Sequence, residues 1–147
     1  MFAGKSLKAR FLKRTPGLQK LVSKIKTLLE TAKYLSGLDG RRLYVRKVHA
    51  ALNTLLQSAG AVICAAWMCR VDLVLQRDLG LKHGWNGDYV ILGWIHDELQ
   101  FAARTPEIAE IIGKTAKQAI QDIGDVFAFR CPLDGEYKVG KSWKDTH

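Results

Sequence analysis

A chain of 147 residues, 48% hydrophobic and 25% charged, is one domain or part of one, and its composition matches an ordinary soluble globular chain. The longest uncharged apolar run, Ala59 to Cys69, is too short to span a bilayer, Met1-Phe-Ala-Gly-Lys5 lacks a secretory apolar block, and Cys64, Cys69 and Cys131 lack C-x-x-C spacing. No membrane, disulfide framework or zinc site is therefore expected, and a reducing, cytoplasmic setting is.

The net charge of +9 is unevenly placed. Residues 1–47 hold 13 Lys and Arg against Glu30 and Asp39, a net of +11, whereas residues 48–147 sum to −2. A basic segment joined to a near-neutral body fits a polyanionic partner, nucleic acid first; it also fits a solvated, lysine-rich helix face.

In chain order, Gly4 to Arg14 reads as a short basic helix with Leu7, Phe11 and Leu12 on one side. Thr15-Pro16 reads as a cap followed by proline at the first helical position. Leu18, Leu21, Val22, Ile25, Leu28, Leu29, Ala32 and Leu35 then recur at helical spacing until Gly37-Leu-Asp-Gly40. Leu43 to Arg46 is a strand candidate with Asp39-Gly40 as its turn. The longest helix is expected from about His49 to Leu79, followed by a loop over Gly80 to Asp88. Tyr89 to Ile95 and Leu99 to Ala103 read as a tight hairpin around His96, Asp97 and Glu98. Thr105-Pro106-Glu107 opens an amphipathic helix that Gly124 is expected to end. Phe127 to Cys131 and Tyr137 to Val139 are short strand candidates. This mixture of helices and antiparallel strands is an α+β pattern.

Three constellations could carry chemistry. Tight hairpins favour glycine-containing turns, yet Ile95-His-Asp-Glu98 puts three ionisable residues there. Adjacent carboxylates repel each other unless a cation or a basic group offsets them, and Mg²⁺ with oxygen ligands fits that need; a merely solvated hairpin tip is the bland alternative. His49, Asn53 and Gln57 lie at i, i+4 and i+8, beside the small residues Gly60 and Ala61. Amide donors so aligned can reach minor-groove acceptors present at every base pair, although a polar surface stripe has the same spacing. The third is the tail, Ser142-Trp-Lys-Asp-Thr-His147, which suggests a docked C-terminus.

Together these segments resemble DNA polymerase family A. His49-Ala-Ala-Leu-Asn-Thr-Leu-Leu-Gln-Ser-Ala-Gly-Ala61 is similar to the helix preceding that family's motif C, and Ile95-His-Asp-Glu98 is similar to motif C itself. Leu79 to Asp88, Arg104 to Ala109 and Phe129-Arg-Cys131 resemble the replicative polymerases of short-tailed T-odd podoviruses. The resemblance implies the C-terminal part of a palm-and-fingers fold, with residues 1–47 as a basic fingers segment and residues 48–147 as a palm segment.

It further implies a DNA-directed DNA polymerase using two Mg²⁺ ions, primer–template DNA and deoxynucleoside triphosphates, in the host cytoplasm if phage-encoded. Asp97 would be a catalytic metal ligand, Glu98 would assist it, and His96 would lie near the primer end. Asn53 and Gln57 would probe the minor groove, with His49 beside them, and His147 would pack by the active site. Lys5, Lys8, Arg10, Lys13 and Arg14 would contact phosphates. The family's D-x-S-x-x-E-L-R and R-x-x-x-K-x-x-x-Y-G segments are absent from these residues. The resemblance thus implies a partner chain supplying the thumb, the first aspartate and the nucleotide-binding helix. A non-catalytic duplex-binding remnant and a Mg²⁺-dependent nuclease are the other readings.

Overall fold

The computed structural model describes residues 2–146, and for Phe2, Ala3, Lys5 and Lys8 it describes the backbone alone. The elements are α1 (Phe2–Arg14), α2 (Pro16–Ala32), β1 (Tyr34–Ser36), β2 (Arg42–Tyr44), α3 (Ala51–Leu73), β3 (Tyr89–Ile95), β4 (Glu98–Ala103), α4 (Pro106–Val126) and α5 (Trp143–Thr146). A 3₁₀ turn, Val48–Ala50, precedes α3, and a π turn, Val74–Asp78, extends it. The chain forms two compact units, Met1–Val62 and Ile63–His147. Helices with two small antiparallel sheets make the fold α+β, as the sequence implied.

In the first unit, the stripe of α2 buries Ile25 and Leu29 against Leu35 of β1 and Ala51, with Leu43, Val45, Leu52 and Leu55 packed around them. Two sequence expectations change here. Pro16 does open α2, but Thr15 gives it no side-chain cap, because its hydroxyl donates back to the Phe11 carbonyl of α1 at 2.8 Å. Leu35 is strand, not helix. Lys33 ends α2 in the left-handed region (φ 59°), a place glycine usually takes, and the hairpin begins at once.

In the second unit, Val71 and Leu75 meet Tyr89 and the α4 residues Ile112, Ala116 and Ala119, all buried, with Trp67, Ile91 and Phe101 packed against them. The Trp67 indole donates to the Ala116 carbonyl at 2.7 Å, which fixes the spacing of α3 and α4. Thr105 caps α4 as its sequence indicates, accepting from the Ile108 amide. Gly124 does not end α4, which continues to Val126. Nor do Phe127 to Cys131 and Tyr137 to Val139 form strands: among the described residues no strand lies there, and that segment runs back along α4 instead. Leu133 sits over Gly124, Gly135 beside Ile120, and Tyr137 over Gly113, with the Tyr137 hydroxyl donating to Glu110 at 3.0 Å.

Tyr89 is 2% exposed, and its hydroxyl donates to Asp72 at 2.6 Å while its ring stacks on His83. Burial and the Asp72 carboxylate push its ionisation above the usual tyrosine range near 10. The folded state therefore keeps Tyr89 neutral at a pH where the unfolded chain ionises. Its contribution is complete below pH 10 and is lost as pH rises above that value. Alkaline melting of Tyr89→Phe is expected to show a shallower loss of stability above pH 10 than the parent chain; identical slopes would contradict this coupling.

The helical stretch Val48–Asp78, 31 residues, is long and apolar enough to cross a membrane by length and composition. The uncharged apolar run Ala59 to Cys69, read from the sequence as too short to span a bilayer, lies inside this longer helix. Only 17% of its most apolar window is buried here.

Candidate functional site

Strands β3 and β4 pair with Tyr89 opposite Ala103 and Ile95 opposite Glu98, leaving a two-residue turn of His96 and Asp97. Glu98 belongs to β4, so the turn is one residue tighter than the sequence suggested. His96 has φ 56°, whereas Asp97 does not have a positive φ. A positive φ at the first central position alone is the type II′ pattern, in which glycine is the usual occupant. A histidine held there stores roughly 1 kcal/mol or more of backbone strain, a cost common at functional sites.

The Trp94 indole donates to the His96 carbonyl at 2.6 Å and braces the turn. Gln100 donates to the Glu98 carboxylate at 2.5 Å, fixing one of its oxygens. His96 and Asp97 are exposed and Glu98 is half-buried. Cys64 of α3 lies close enough for Asp97 to act on it: burial first, then the Asp97 charge, push its thiol up. The sequence reading missed the parts that Trp94, Gln100 and Cys64 take here. Strand alternation could have found Gln100, which shares a face with Glu98; the other two depend on tertiary placement.

Replacing His96 with glycine is expected to raise the unfolding free energy by about 1 kcal/mol, since the turn conformation becomes unstrained. Chemical denaturation measures this, and a destabilised variant would show that the turn is not strained.

Asp97 and Glu98 offer carboxylate oxygens, the hard donors that Mg²⁺ prefers. Among the described residues, however, no three His, Cys, Asp or Glu side chains gather where they could hold a metal ion. The hairpin therefore fits one edge of a metal site and does not make a cage by itself.

The other sequence candidates are displayed in the first unit. His49 lies in the 3₁₀ turn, off the regular helix, while Asn53 and Gln57 stand one turn apart on α3; all three are exposed. Arg10, Lys13 and Arg14 are exposed on α1. The side chains of Lys5 and Lys8, and all of His147, lie outside the described residues. Preceding the last of these, α5 is held by Asp145, which accepts from the Lys141 and Ser142 amides and the Ser142 hydroxyl.

This chain carries an acidic turn on a two-stranded hairpin within an α+β fold. It is similar to the POL domain of Pol1 from M. smegmatis in complex with DNA primer-template and dNTP, with a TM-score of 0.66 and 25% identity, over 81% of this chain and 22% of that one. The family model for DNA polymerase family A matches residues 3–145, and the chain belongs to that family. Its curated relatives include the DNA-directed DNA polymerases of Enterobacteria phage T3, 45% identical, and Escherichia phage T7, 44% identical. Each match covers 98% of this chain and 22% of the relative. The enzyme of Escherichia phage Phieco32 is 30% identical over 98% of this chain and 23% of its own length. The chain thus spans less than a quarter of the length of these relatives.

Proposed function

We propose that this chain forms part of the catalytic body of a phage DNA-directed DNA polymerase, with residues 1–47 in the fingers and residues 48–147 in the palm. The observation that carries this reading is the strained His96-Asp97 turn in a chain aligned almost end to end with phage polymerases. The remaining parts, the thumb, the other metal-binding aspartate and the nucleotide-binding helix, come from polypeptide outside these residues. Deoxynucleoside triphosphates and primer–template DNA are the substrates, and the host cytoplasm is the place of action.

Bound Mg²⁺ ions would supply charge neutralisation at the transferred phosphoryl group. Asp97 would hold one side of that site through its exposed carboxylate. Glu98, with one oxygen committed to Gln100, would keep negative charge beside Asp97. His96 would face the primer end, and Asn53 and Gln57 would meet minor-groove acceptors, sensing duplex shape without reading sequence. The uncovered surface of Val48–Asp78 is then a face for the rest of the polymerase, which explains an apolar helix with so little burial without a membrane.

Arg10, Lys13 and Arg14, with Lys5 and Lys8, would neutralise phosphates. If they do, log K for a primer–template duplex should fall linearly with log salt, and each phosphate left without its cation should lessen the slope by about 0.9. Replacing Arg10, Lys13 and Arg14 together by Gln is expected to lessen it by about 2 to 3; an unchanged slope in an anisotropy titration would remove α1 from the interface. Reading the coding DNA beside this segment tests the assembly: D-x-S-x-x-E-L-R and R-x-x-x-K-x-x-x-Y-G motifs should lie in a neighbouring open frame or the same one.

A further inference from the structure

The β1–β2 hairpin has two unlike faces. Strand alternation turns Leu35 and Leu43 toward the core with Ile25 and Leu29, and it turns Tyr34, Ser36, Arg42 and Tyr44 the other way. Tyr34 and Tyr44 are directly opposed, with ring centroids 6.3 Å apart and planes at 54°. Arg42, diagonal to Tyr34, lays its guanidinium over that ring, 5.0 Å from the centroid.

This aromatic pair is not core. Tyr44 is 72% exposed, although its neighbour Leu43 in the same strand is packed inward. The charge near it in the sequence is almost all positive. Asp39 is the sole acidic residue between Glu30 and Asp72 in the sequence, and the turn residue Arg41 engages it. Among the described residues Arg42 pairs with no carboxylate, and Lys33, Arg46 and Lys47 flank the two strands.

We propose that this face is a stacking platform for single-stranded nucleic acid, taking an unpaired base on the Tyr44 ring and a backbone phosphate on Arg42. Exposed aromatic rings bordered by unpaired cations are the two components from which such platforms are built. A duplex would not use the ring, because its bases are already stacked on one another and offer only edges and phosphates. An acidic peptide would use the cations and leave the exposed ring unexplained. The proposal rests on the polymerase reading in one respect: the unpaired template strand would be the source of such bases.

The test is fluorescence anisotropy with the full chain and a labelled oligothymidylate of about 12 nucleotides, a length that spans one such site. Tyr44→Ala should weaken binding about tenfold without changing the salt slope, and Tyr44→Phe, which keeps the ring, should bind as the parent does. Arg42→Gln should lessen the salt slope by about 0.7, the contribution of one single-strand phosphate contact. Because Tyr44 stands clear of the core, its replacement should lower the melting curve by no more than the loss of its cross-strand pairing with Tyr34.

The platform is overturned if Tyr44→Ala leaves the oligothymidylate affinity unchanged, if it weakens duplex binding equally, or if polyglutamate displaces the oligonucleotide from parent and Tyr44→Ala chains alike. Primer extension by the completed enzyme is read separately. Synthesis with Tyr44-independent strand binding would remove the platform and keep the polymerase. Tyr44-dependent strand binding without synthesis would do the reverse.

Discussion

Asp97→Asn in a completed enzyme is expected to lower the rate of nucleotide addition by about 10³-fold or more. Metal-assisted stabilisation of developing charge is worth several kcal/mol, and each ~1.4 kcal/mol is a factor of ten. Asparagine keeps the shape of aspartate but removes the charge that holds a divalent cation. Asp97 is exposed at a two-residue turn and carries no core packing, so its replacement should leave the melting temperature nearly unchanged. Single-turnover primer extension measures the loss, and a variant with the parent's rate would take Asp97 out of catalysis. Glu98→Gln should cost less, since Gln100 already occupies one oxygen of Glu98 and the neighbouring Asp97 stays charged.

Gly113→Ala is the larger structural prediction. A Cβ at that position would run into the Tyr137 ring, inside any tolerated contact, and Tyr137 is itself anchored to Glu110. Either α4 or the tail segment must shift. Overpacking of this kind costs about 1–3 kcal/mol, and here the tail segment is the part able to yield. The variant should melt several degrees lower and be cleaved faster by trypsin after Lys138 and Lys141. Adding Tyr137→Ala should relieve the clash, so the double variant should lose less than the two single losses combined. A Gly113→Ala chain with parent melting and cleavage rates would show that Tyr137 does not pack there.

Much of this fold is written in local pattern. The apolar run Tyr89 to Ile95 is a strand over those same residues, and Thr105-Pro106 marks the start of α4, because capping and strand preference act over a few residues. The His96-Asp97 turn was legible for a different reason: a hairpin without glycine conflicts with local preference, and such conflicts gather at functional sites. What failed depended on contacts distant in sequence. Leu35 has helical spacing from Leu28 but is pulled into a strand by Leu43 and the α2 core. Gly124 looked like a helix stop, yet it is a small residue beneath Leu133 within α4. The stretches around Phe129 and Tyr137 have strand-like composition, but they pack on a helix instead. The Tyr89–Asp72–His83 cluster joins three separate segments and carries no local signal. At the candidate site, the hairpin carboxylates were readable from sequence, and the proposed function has the rest of the metal site come from outside these residues.

The deciding assay is primer extension: a purified chain of these 147 residues is incubated with Mg²⁺, primer–template and deoxynucleoside triphosphates, alone and together with a polypeptide carrying the thumb and the two missing motifs. A chain that forms one part of a polymerase should give no extension alone, synthesis on mixing, and loss of that synthesis when the mixed chain carries Asp97→Asn. Robust synthesis by the chain alone, or synthesis on mixing that is indifferent to Asp97, would contradict it.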